Sequence, residues 1–218
     1  MIVTIDGPAG AGKSSIARQV AEQLGFEFLD TGAMYRAVAW AVIRQGGDLT
    51  DESVVADAAR NMRIDLTQGR VVIDGADATD EIRTPEVTQA TRYAAANVAV
   101  RMHLVELQQQ FGREKDLVTE GRDQGTVVFP TAECKIYLTA SPEERARRRV
   151  ADLAARGVAA EYDEILTQQN QRDEEDSNRS VGPLRKADDA IELKTDGMTP
   201  SEVIRRLIEI VDERRATR

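Results

Sequence analysis

Residues 7–14 place three glycines, a lysine and a serine at the spacing of a phosphate-binding loop. Their sequence, Gly-Pro-Ala-Gly-Ala-Gly-Lys-Ser, matches the pattern G-x-x-x-x-G-K-S/T in full. Glycines let successive backbone N–H groups turn toward one anion, and the N-terminus of a following helix adds partial positive charge. Lys13 is then expected to reach the β- and γ-phosphates of a nucleotide, and the Ser14 hydroxyl to ligate Mg²⁺. The loop therefore predicts chemistry on phosphate groups.

The elements on both sides of this loop have the patterns that it needs. Residues 2–5 form a short β-branched run that predicts a buried strand, and residues 13–24 repeat apolar side chains at helical spacing. A second strand is expected at residues 26–29 and a second helix at residues 32–44. Strands that alternate with helices indicate a parallel sheet, so we predict an α/β protein with a three-layer α/β/α P-loop architecture.

Two further segments depart from this alternation and predict smaller lobes. A turn at Gln68 and Gly69 joins two short strand patterns, which predicts a small antiparallel insert at about residues 60–85. A polar, arginine-rich stretch predicts a helical lid at about residues 145–180. We expect one domain over residues 1–218, with these two lobes inserted into it.

Capping signals and prolines predict where several helices begin. Residues 141–144 (Ser-Pro-Glu-Glu) and 199–202 (Thr-Pro-Ser-Glu) each have the sequence of a capping box. Thr50 is expected to cap a helix over residues 51–61. One long helix is predicted over residues 85–111, opened by a proline. Two more strands are expected at residues 117–119 and 135–138.

Composition and charge limit the classes of function. The 218 residues include 41% hydrophobic and 31% charged side chains, which is typical of a soluble globular protein. A net charge of −9 disfavours binding to nucleic acid. The single cysteine, Cys134, excludes an intrachain disulfide and fits a reducing cytoplasm. No signal peptide is expected, because no basic n-region precedes an apolar h-region. No membrane span is expected, because no apolar run approaches about 20 residues.

Three arginines stand at positions that suit phosphoryl transfer, which needs positive groups on both reacting anions. Arg36 lies one turn into the second predicted helix, Arg122 just past a predicted strand end, and Arg179 at the end of a polar run. Arginine binds phosphate oxygens in a bidentate manner and stays charged. Open α/β sheets place ligands at the carboxyl ends of their strands, which makes Arg122 the strongest of the three candidates.

Five blocks of the chain resemble the bacterial cytidylate kinase family. They are residues 7–15, Asp-Thr-Gly-Ala-Met-Tyr-Arg at 30–36, Glu-Ile-Arg-Thr-Pro-Glu-Val at 81–87, Gly-Arg-Asp-Gln-Gly-Thr-Val-Val-Phe-Pro at 121–130 and Pro-Leu-Arg-Lys-Ala-Asp-Asp-Ala at 183–190. The fourth block is specific to that family, whereas the phosphate loop alone is not. The resemblance implies ATP and Mg²⁺ as cofactors, transfer of the γ-phosphate of ATP to CMP or dCMP, and a nucleoside-monophosphate site at the insert.

The resemblance also implies a role for each matching residue. The expected ATP-binding residues are Gly7, Pro8, Ala9, Gly10, Ala11, Gly12, Lys13, Ser14 and Ser15. On the acceptor side, Arg36, Arg122 and Arg179 would hold the CMP phosphate, Arg172 and Asp176 would contact the ribose, and Arg101 and Asp123 would contact the base, with Thr31 completing the set. Lys13, Arg122 and Arg179 are the expected catalytic residues. A carboxylate and a guanidinium complement the amino donor and the N3 and O2 acceptors of cytosine.

Two other functions stay open. One is a P-loop kinase for another small acceptor, such as UMP, AMP or a non-nucleotide, and the other is a non-catalytic nucleotide-binding module. The chain departs from the family pattern at Arg92 and Gln124, and both departures bear on base selectivity. The expected partners are small-molecule nucleotides, with no nucleic acid and no membrane, and the expected state is a cytoplasmic monomer.

Overall fold

The computed structural model of the protein describes residues 1–67, 69–155 and 157–216. Within these ranges, the strands in chain order are β1 (Ile2–Asp6), β2 (Glu27–Asp30), β3 (Ile64–Thr67), β4 (Arg70–Ile73), β5 (Ala76–Asp77), β6 (Leu117–Gly121), β7 (Cys134–Thr139) and β8 (Ile191–Lys194). The α-helices are α1 (Lys13–Leu24), α2 (Thr31–Arg44), α3 (Glu52–Asn61), α4 (Pro85–Ala96), α5 (Val98–Phe111), α6 (Pro142–Ala155), α7 (Tyr162–Ser177) and α8 (Pro200–Ala216). A 3₁₀ turn covers Glu81–Arg83, and a turn of π-helix covers Gln124–Val128.

A parallel sheet forms the base of the first of two compact units, which consists of Met1–Phe28 and Glu114–Arg218. The five strands lie in the order β2-β6-β1-β7-β8. β1 pairs in parallel with β6 and β7, and β7 pairs in parallel with β8. β1 is therefore the central strand, and the loop that follows it leaves from the middle of the carboxyl edge, where open α/β sheets place ligands. The predicted α/β class with a parallel sheet is confirmed.

The core of this unit fixes the strand that leads into the loop. Apolar side chains of β1 and β7 pack against α1 and α8, and full burial of one such side chain contributes about 1.5–3 kcal/mol. Its buried members include Val3, Ile5, Ile16, Val20, Ile136, Leu138, Leu207 and Ile210. Core packing thus fixes strand β1 up to the residue at which the loop begins.

The second compact unit, Leu29–Arg113, combines a small antiparallel sheet with four helices, α2 to α5. β3 pairs with β4 so that Ile64 lies opposite Ile73, and β4 pairs in turn with β5. The predicted antiparallel pair is therefore confirmed, although Gln68 of the predicted turn lies outside the described residues. The indole of Trp40 on α2 is buried and donates to Glu81 Oε2 at 2.9 Å.

Two predictions about helices were wrong. Asp51, and not Thr50, caps α3, because the Asp51 carboxylate accepts hydrogen bonds from two backbone N–H groups of the first turn. The single helix predicted over residues 85–111 is two helices, α4 and α5. Asn97 has extended backbone between them, and its side-chain oxygen accepts from the Val100 N–H at 3.1 Å. The side chain of Asn97 thus ends one helix and starts the next.

The two capping boxes differ in how fully they form. At α8, the Thr199 N–H donates to Glu202 Oε2 at 2.8 Å and the Glu202 N–H donates to Thr199 Oγ1 at 3.3 Å, as a capping box requires. At α6, the Glu144 N–H donates to Ser141 Oγ at 3.3 Å, but the Ser141 N–H donates to Asp196 at 3.0 Å. Both predicted helix starts are confirmed, and Asp196 replaces one half of the box at α6.

Candidate active site

The phosphate loop joins β1 directly to α1 and has the backbone that its glycines permit. At Gly7, φ is +151°, and a Cβ would lie 2.0 Å from the carbonyl oxygen of Leu138, so only glycine fits there. Gly12 precedes α1 with φ of +81° and has no side chain to bond the first N–H groups of the helix. These N–H groups, with the positive end of the helix dipole, suit an anion such as a nucleotide phosphate.

Lys13 places a buried ammonium group beside this loop. The residue is 5% exposed, and its Nζ donates to the carbonyl oxygen of Pro8 at 2.7 Å. Burial is the main cause that lowers the pKa of Lys13 to about 7, and the positive charge of Arg122 is the second. The negative charges of Glu120 and Asp6 act in the opposite direction. An anion bound next to Lys13 would favour the charged form and raise this pKa again.

Ser14 and Glu120 form an oxygen pair that fits a magnesium ion. The Ser14 hydroxyl donates to Glu120 Oε1 at 2.7 Å, and Glu120 is buried. Glu120 pairs in register with Ile5 of the neighbouring strand, which brings it next to the start of the loop. Mg²⁺ takes oxygen ligands and commonly accepts one or two from the protein together with phosphates and waters. Glu120 was not predicted as a site residue, although an acidic residue at the end of a buried strand is a signal for one.

A buried carboxylate joins two of the predicted arginines. Asp176 on α7 is 2% exposed, and it accepts from Arg122 Nε at 2.7 Å and from Arg179 Nη2. Burial works against ionisation of Asp176, but Arg122 and then Arg179 outweigh it and lower the pKa of the carboxyl group. Arg172, on the same helix, is exposed. The first unit therefore brings together Arg122, Asp176 and Arg179 near the carboxyl edge of the sheet.

The backbone around Asp123 is held from the strand that leads into the phosphate loop. The Asp6 carboxylate accepts from the N–H groups of Gln124 and Gly125, each at 2.8 Å. Burial raises the pKa of Asp6 to about 6, although these two hydrogen bonds act in the opposite direction. Asp123 itself is 5% exposed. The Gln124 side chain turns into the core, where it accepts from Thr119 Oγ1 at 2.9 Å.

In the second unit, Arg36 belongs to a cluster at the start of α2. Its Nη2 lies 3.2 Å from Oδ2 of Asp30, and Arg83 Nη2 lies 3.5 Å from the same oxygen. Asp30 also caps α2, accepting from the Ala33 N–H at 2.8 Å. Thr31 is the first residue of that helix and is buried. Arg83, for which no role was predicted, is the second arginine of this cluster.

Arg101 lies on α5 of the same unit and is 3% exposed. Its guanidinium lies over the ring of Tyr35, 5.4 Å from the centroid, a distance at which cation–π attraction operates. A buried arginine fixed in this way presents its N–H donors in one orientation.

Two other residues noted in the sequence have a local partner or are buried. Arg92 is exposed on α4 and donates to the Tyr93 hydroxyl at 3.1 Å. Cys134 is buried in β7, and burial raises the pKa of its thiol to about 11, which makes it a poor nucleophile. Within the described ranges, no helix has the length and apolar character that a membrane span requires.

A complete phosphate loop, a buried lysine and an arginine–carboxylate network on a parallel sheet define the class of P-loop phosphotransferases. The family model described as cytidylate kinase matches residues 3–213, so the chain belongs to this family. A Rhodopirellula baltica protein named cytidylate kinase is 54% identical over 213 residues, which are 98% of this chain and 93% of that protein. A Trichormus variabilis protein named bifunctional pantoate ligase/cytidylate kinase is 48% identical over 221 residues, and the match spans 98% of this chain and 41% of that longer protein.

Solved structures share the fold at low sequence identity. A shikimate kinase from Bacteroides thetaiotaomicron is 14% identical with a TM-score of 0.50, and the match covers 97% of this chain and 98% of that one. The protein TT1252 from Thermus thermophilus is 20% identical with a TM-score of 0.50, and the match covers 97% and 95% of the two chains. At this level of identity the similarity shows the fold alone.

Proposed function

We propose that the protein transfers the γ-phosphate of ATP to CMP or dCMP, giving ADP and CDP or dCDP. The observation that carries the proposal is the buried Lys13 of the phosphate loop, which lies close enough to Arg122 to feel its charge. The chain that holds this site belongs to the cytidylate kinase family. Transfer of a phosphoryl group needs positioning and positive charge more than covalent chemistry, and these residues supply both.

The donor side of the site consists of residues 7–15 with Lys13 at its centre. The loop N–H groups and Lys13 would hold the triphosphate of ATP, and the oxygens of Ser14 and Glu120 would hold Mg²⁺. When bound, Mg²⁺ neutralises negative charge on the phosphate oxygens. Lys13 adds a positive charge that stabilises the phosphoryl group during transfer.

The acceptor side carries the arginines. Arg36, Arg122 and Arg179 hold the phosphate of the acceptor, and Arg122 and Arg179 also stabilise charge during transfer. The acceptor oxygen belongs to an ionised phosphate, so no general base has to remove a proton from it. Asp176 fixes the orientation of both of these arginines through the hydrogen bonds that it accepts. Arg172 and Asp176 are assigned to the ribose, and Thr31 completes the acceptor set.

Arg101 and Asp123 are assigned to the base. A carboxylate accepts a hydrogen bond from the amino group of cytosine, whereas uracil would present its O4 lone pairs to the same oxygens. Gln124 and Arg92 have hydrogen-bond partners within the protein, Thr119 and Tyr93, which favours a base site formed by the residues that match the family.

We propose that the chain is one kinase domain with two inserted lobes. One is a nucleoside-monophosphate insert at about residues 60–85, and the other is a lid at about residues 145–180. A kinase must exclude water, because ATP hydrolysis otherwise competes with transfer. Hydrogen exchange should therefore slow in both segments when ATP and CMP bind together. Unchanged exchange in both segments would contradict a closing lid and insert.

Product analysis tests the proposed reaction. Incubation with ATP, Mg²⁺ and CMP should yield ADP and CDP in equal amounts, and Lys13→Ala should lose nearly all turnover, since removal of one such charge costs several kcal/mol of barrier. Near-normal turnover in Lys13→Ala would contradict the assignment. Nucleotide binding without any product would favour the non-catalytic module.

We also propose that the protein works as a monomer in the cytoplasm. The single cysteine, buried in β7, suits a reducing compartment. Sedimentation at micromolar concentration should give a mass near 24.0 kDa. A mass of twice that value would contradict the monomer.

A further inference from the structure

Gln169 on α7 has a buried side-chain amide without a hydrogen-bond partner. The residue is 8% exposed, and neither Nε2 nor Oε1 bonds to any residue in the part of the chain that the structure describes. Buried amide groups are hydrogen-bonded in most proteins, so an unbonded one needs an explanation. A leucine of similar size would fill the same space without polar atoms to satisfy. Packing alone therefore does not account for a glutamine at this position.

The amide of Gln169 faces the phosphate loop. A Cβ built on Gly10 would lie 2.9 Å from Gln169 Oε1, so the two residues are in close contact. The neighbouring loop residue is held from the same side, because the Ala9 N–H donates to Asp173 Oδ1 at 3.1 Å and Arg145 Nη1 donates to the Ala9 carbonyl oxygen at 2.8 Å. Arg145 and Asp173 also form an ion pair at 2.7 Å. The amide thus lies beside the part of the loop that α6 and α7 already fix.

Gln169 shares one face of α7 with the other residues that serve the site. Residues 169, 172, 173 and 176 follow the spacing i, i+3, i+4 and i+7, which places them on one side of a helix. Asp173 contacts the loop and Asp176 binds Arg122. Gln171, by contrast, is exposed and donates to Glu175 Oε1 at 3.0 Å within the helix. The face that carries Gln169 is therefore the face turned toward the phosphate loop.

We propose that Gln169 is a further nucleotide-binding residue, whose amide N–H donates to a phosphate oxygen of the nucleoside triphosphate held by the loop. This assignment rests on the proposed function and extends it to the lid. Lys13 and Arg145 already bring positive charge to this region. An amide adds a hydrogen-bond donor without a further charge, and its oxygen can accept from an N–H group or a water.

Calorimetric titration with ATP and Mg²⁺, without any acceptor, tests this assignment in three variants. Gln169→Leu removes the donor at nearly constant volume, and its affinity for ATP should fall by about tenfold or more, as expected for loss of a hydrogen bond to a charged group. Gln169→Glu places a carboxylate against the phosphates and should bind ATP more weakly still. Gln171→Leu, the matched control on the exposed face, should bind as wild type.

The thermal unfolding temperature separates binding from packing. Because Gln169→Leu removes unsatisfied buried polar atoms, its unfolding temperature without nucleotide should equal or exceed that of wild type. Wild-type affinity for ATP in Gln169→Leu would overturn the proposal, and if that variant does not fold, Gln169→Met is judged by the same criterion. A wild type that binds ATP but phosphorylates no monophosphate would overturn the proposed function and leave this assignment intact.

Discussion

At the scale of single residues, the site depends on ionisable groups that burial shifts toward their neutral forms. Burial lowers the pKa of Lys13 to about 7 and raises the pKa of Asp6 to about 6. Both groups adjoin the phosphate loop, so the charge at the base of the loop changes within the physiological pH range. A bound phosphate would favour the ammonium form of Lys13, which couples nucleotide binding to proton uptake.

The titration of Lys13 should appear in the kinetics. In the free protein Lys13 loses its proton as the pH rises through about 7, so kcat/KM for ATP should fall by about tenfold for each pH unit well above that value. The measurement is a pH–rate profile corrected for the ionisation of ATP itself. A profile that stays flat from pH 6 to 9 would contradict the low pKa of Lys13.

The same titration should appear in stability, with a definite sign. The pKa of Lys13 is 10.5 in the unfolded chain and about 7 in the folded protein. Between these pH values the unfolded chain therefore binds more protons than the folded protein. This group should therefore make the folded protein more stable as the pH rises across that window. Urea unfolding of wild type and Lys13→Met at several pH values measures the effect, and the variant should lack the rise.

Asp123 should determine base choice. Its carboxylate suits the amino group of cytosine, and a buried polar group left unpaired costs about 1–3 kcal/mol, or about 5- to 150-fold in specificity. Asp123→Ala should therefore reduce kcat/KM for CMP far more than for UMP and narrow the gap between them. Asp57→Ala is the control, because it removes an exposed carboxylate that pairs with Arg60 on α3. An equal loss for CMP and UMP would refute a role of Asp123 in base choice.

At the scale of helices and strands, local signals predicted some elements and missed others for identifiable reasons. The capping boxes predicted the starts of α6 and α8 because the bonds involved span only three residues. Strand β8 was not predicted, because its four residues alternate between half-buried and exposed and obtain their partners from β7, more than fifty residues earlier. The break at Asn97 was not predicted, because the residues on both sides of it favour a helix. The helix is interrupted by one side-chain hydrogen bond, which Asn97 accepts from a backbone N–H group.

The correction at α3 can be measured directly. The Asp51 carboxylate accepts from the N–H groups of Ser53 and Val54, at 2.9 and 3.4 Å. Asp51→Ala should therefore destabilise the protein by about 1 kcal/mol, whereas Thr50→Ala should have a smaller effect. Urea unfolding of the two variants gives the comparison. A larger loss of unfolding free energy in Thr50→Ala than in Asp51→Ala would show that Thr50 caps the helix, as predicted from the sequence.

At the scale of the whole molecule, the parallel sheet and the phosphate loop could be predicted because one motif and its flanking patterns lie within about 25 consecutive residues. Glu120, Arg145 and Asp173 were not recognised as partners of that loop, since each meets it only through the folded chain, from more than 100 residues away. With a net charge of −9, the proposed binding of anionic nucleotides depends on the local positive charge of the arginines assigned to the site. Salt screens exposed charges more strongly than buried ones. Raised salt should therefore weaken nucleotide binding mainly through those arginines that are exposed.

The most direct test of the central claim compares acceptors at fixed ATP and Mg²⁺. The value of kcat/KM should be measured for CMP, dCMP, UMP, AMP and shikimate with the wild-type protein, following ADP release. We predict that CMP and dCMP exceed UMP and AMP by about tenfold or more, and that shikimate gives no ADP above background. A wild-type preference for UMP or AMP would contradict the cytosine assignment, and a preference for shikimate would contradict a nucleoside-monophosphate kinase altogether.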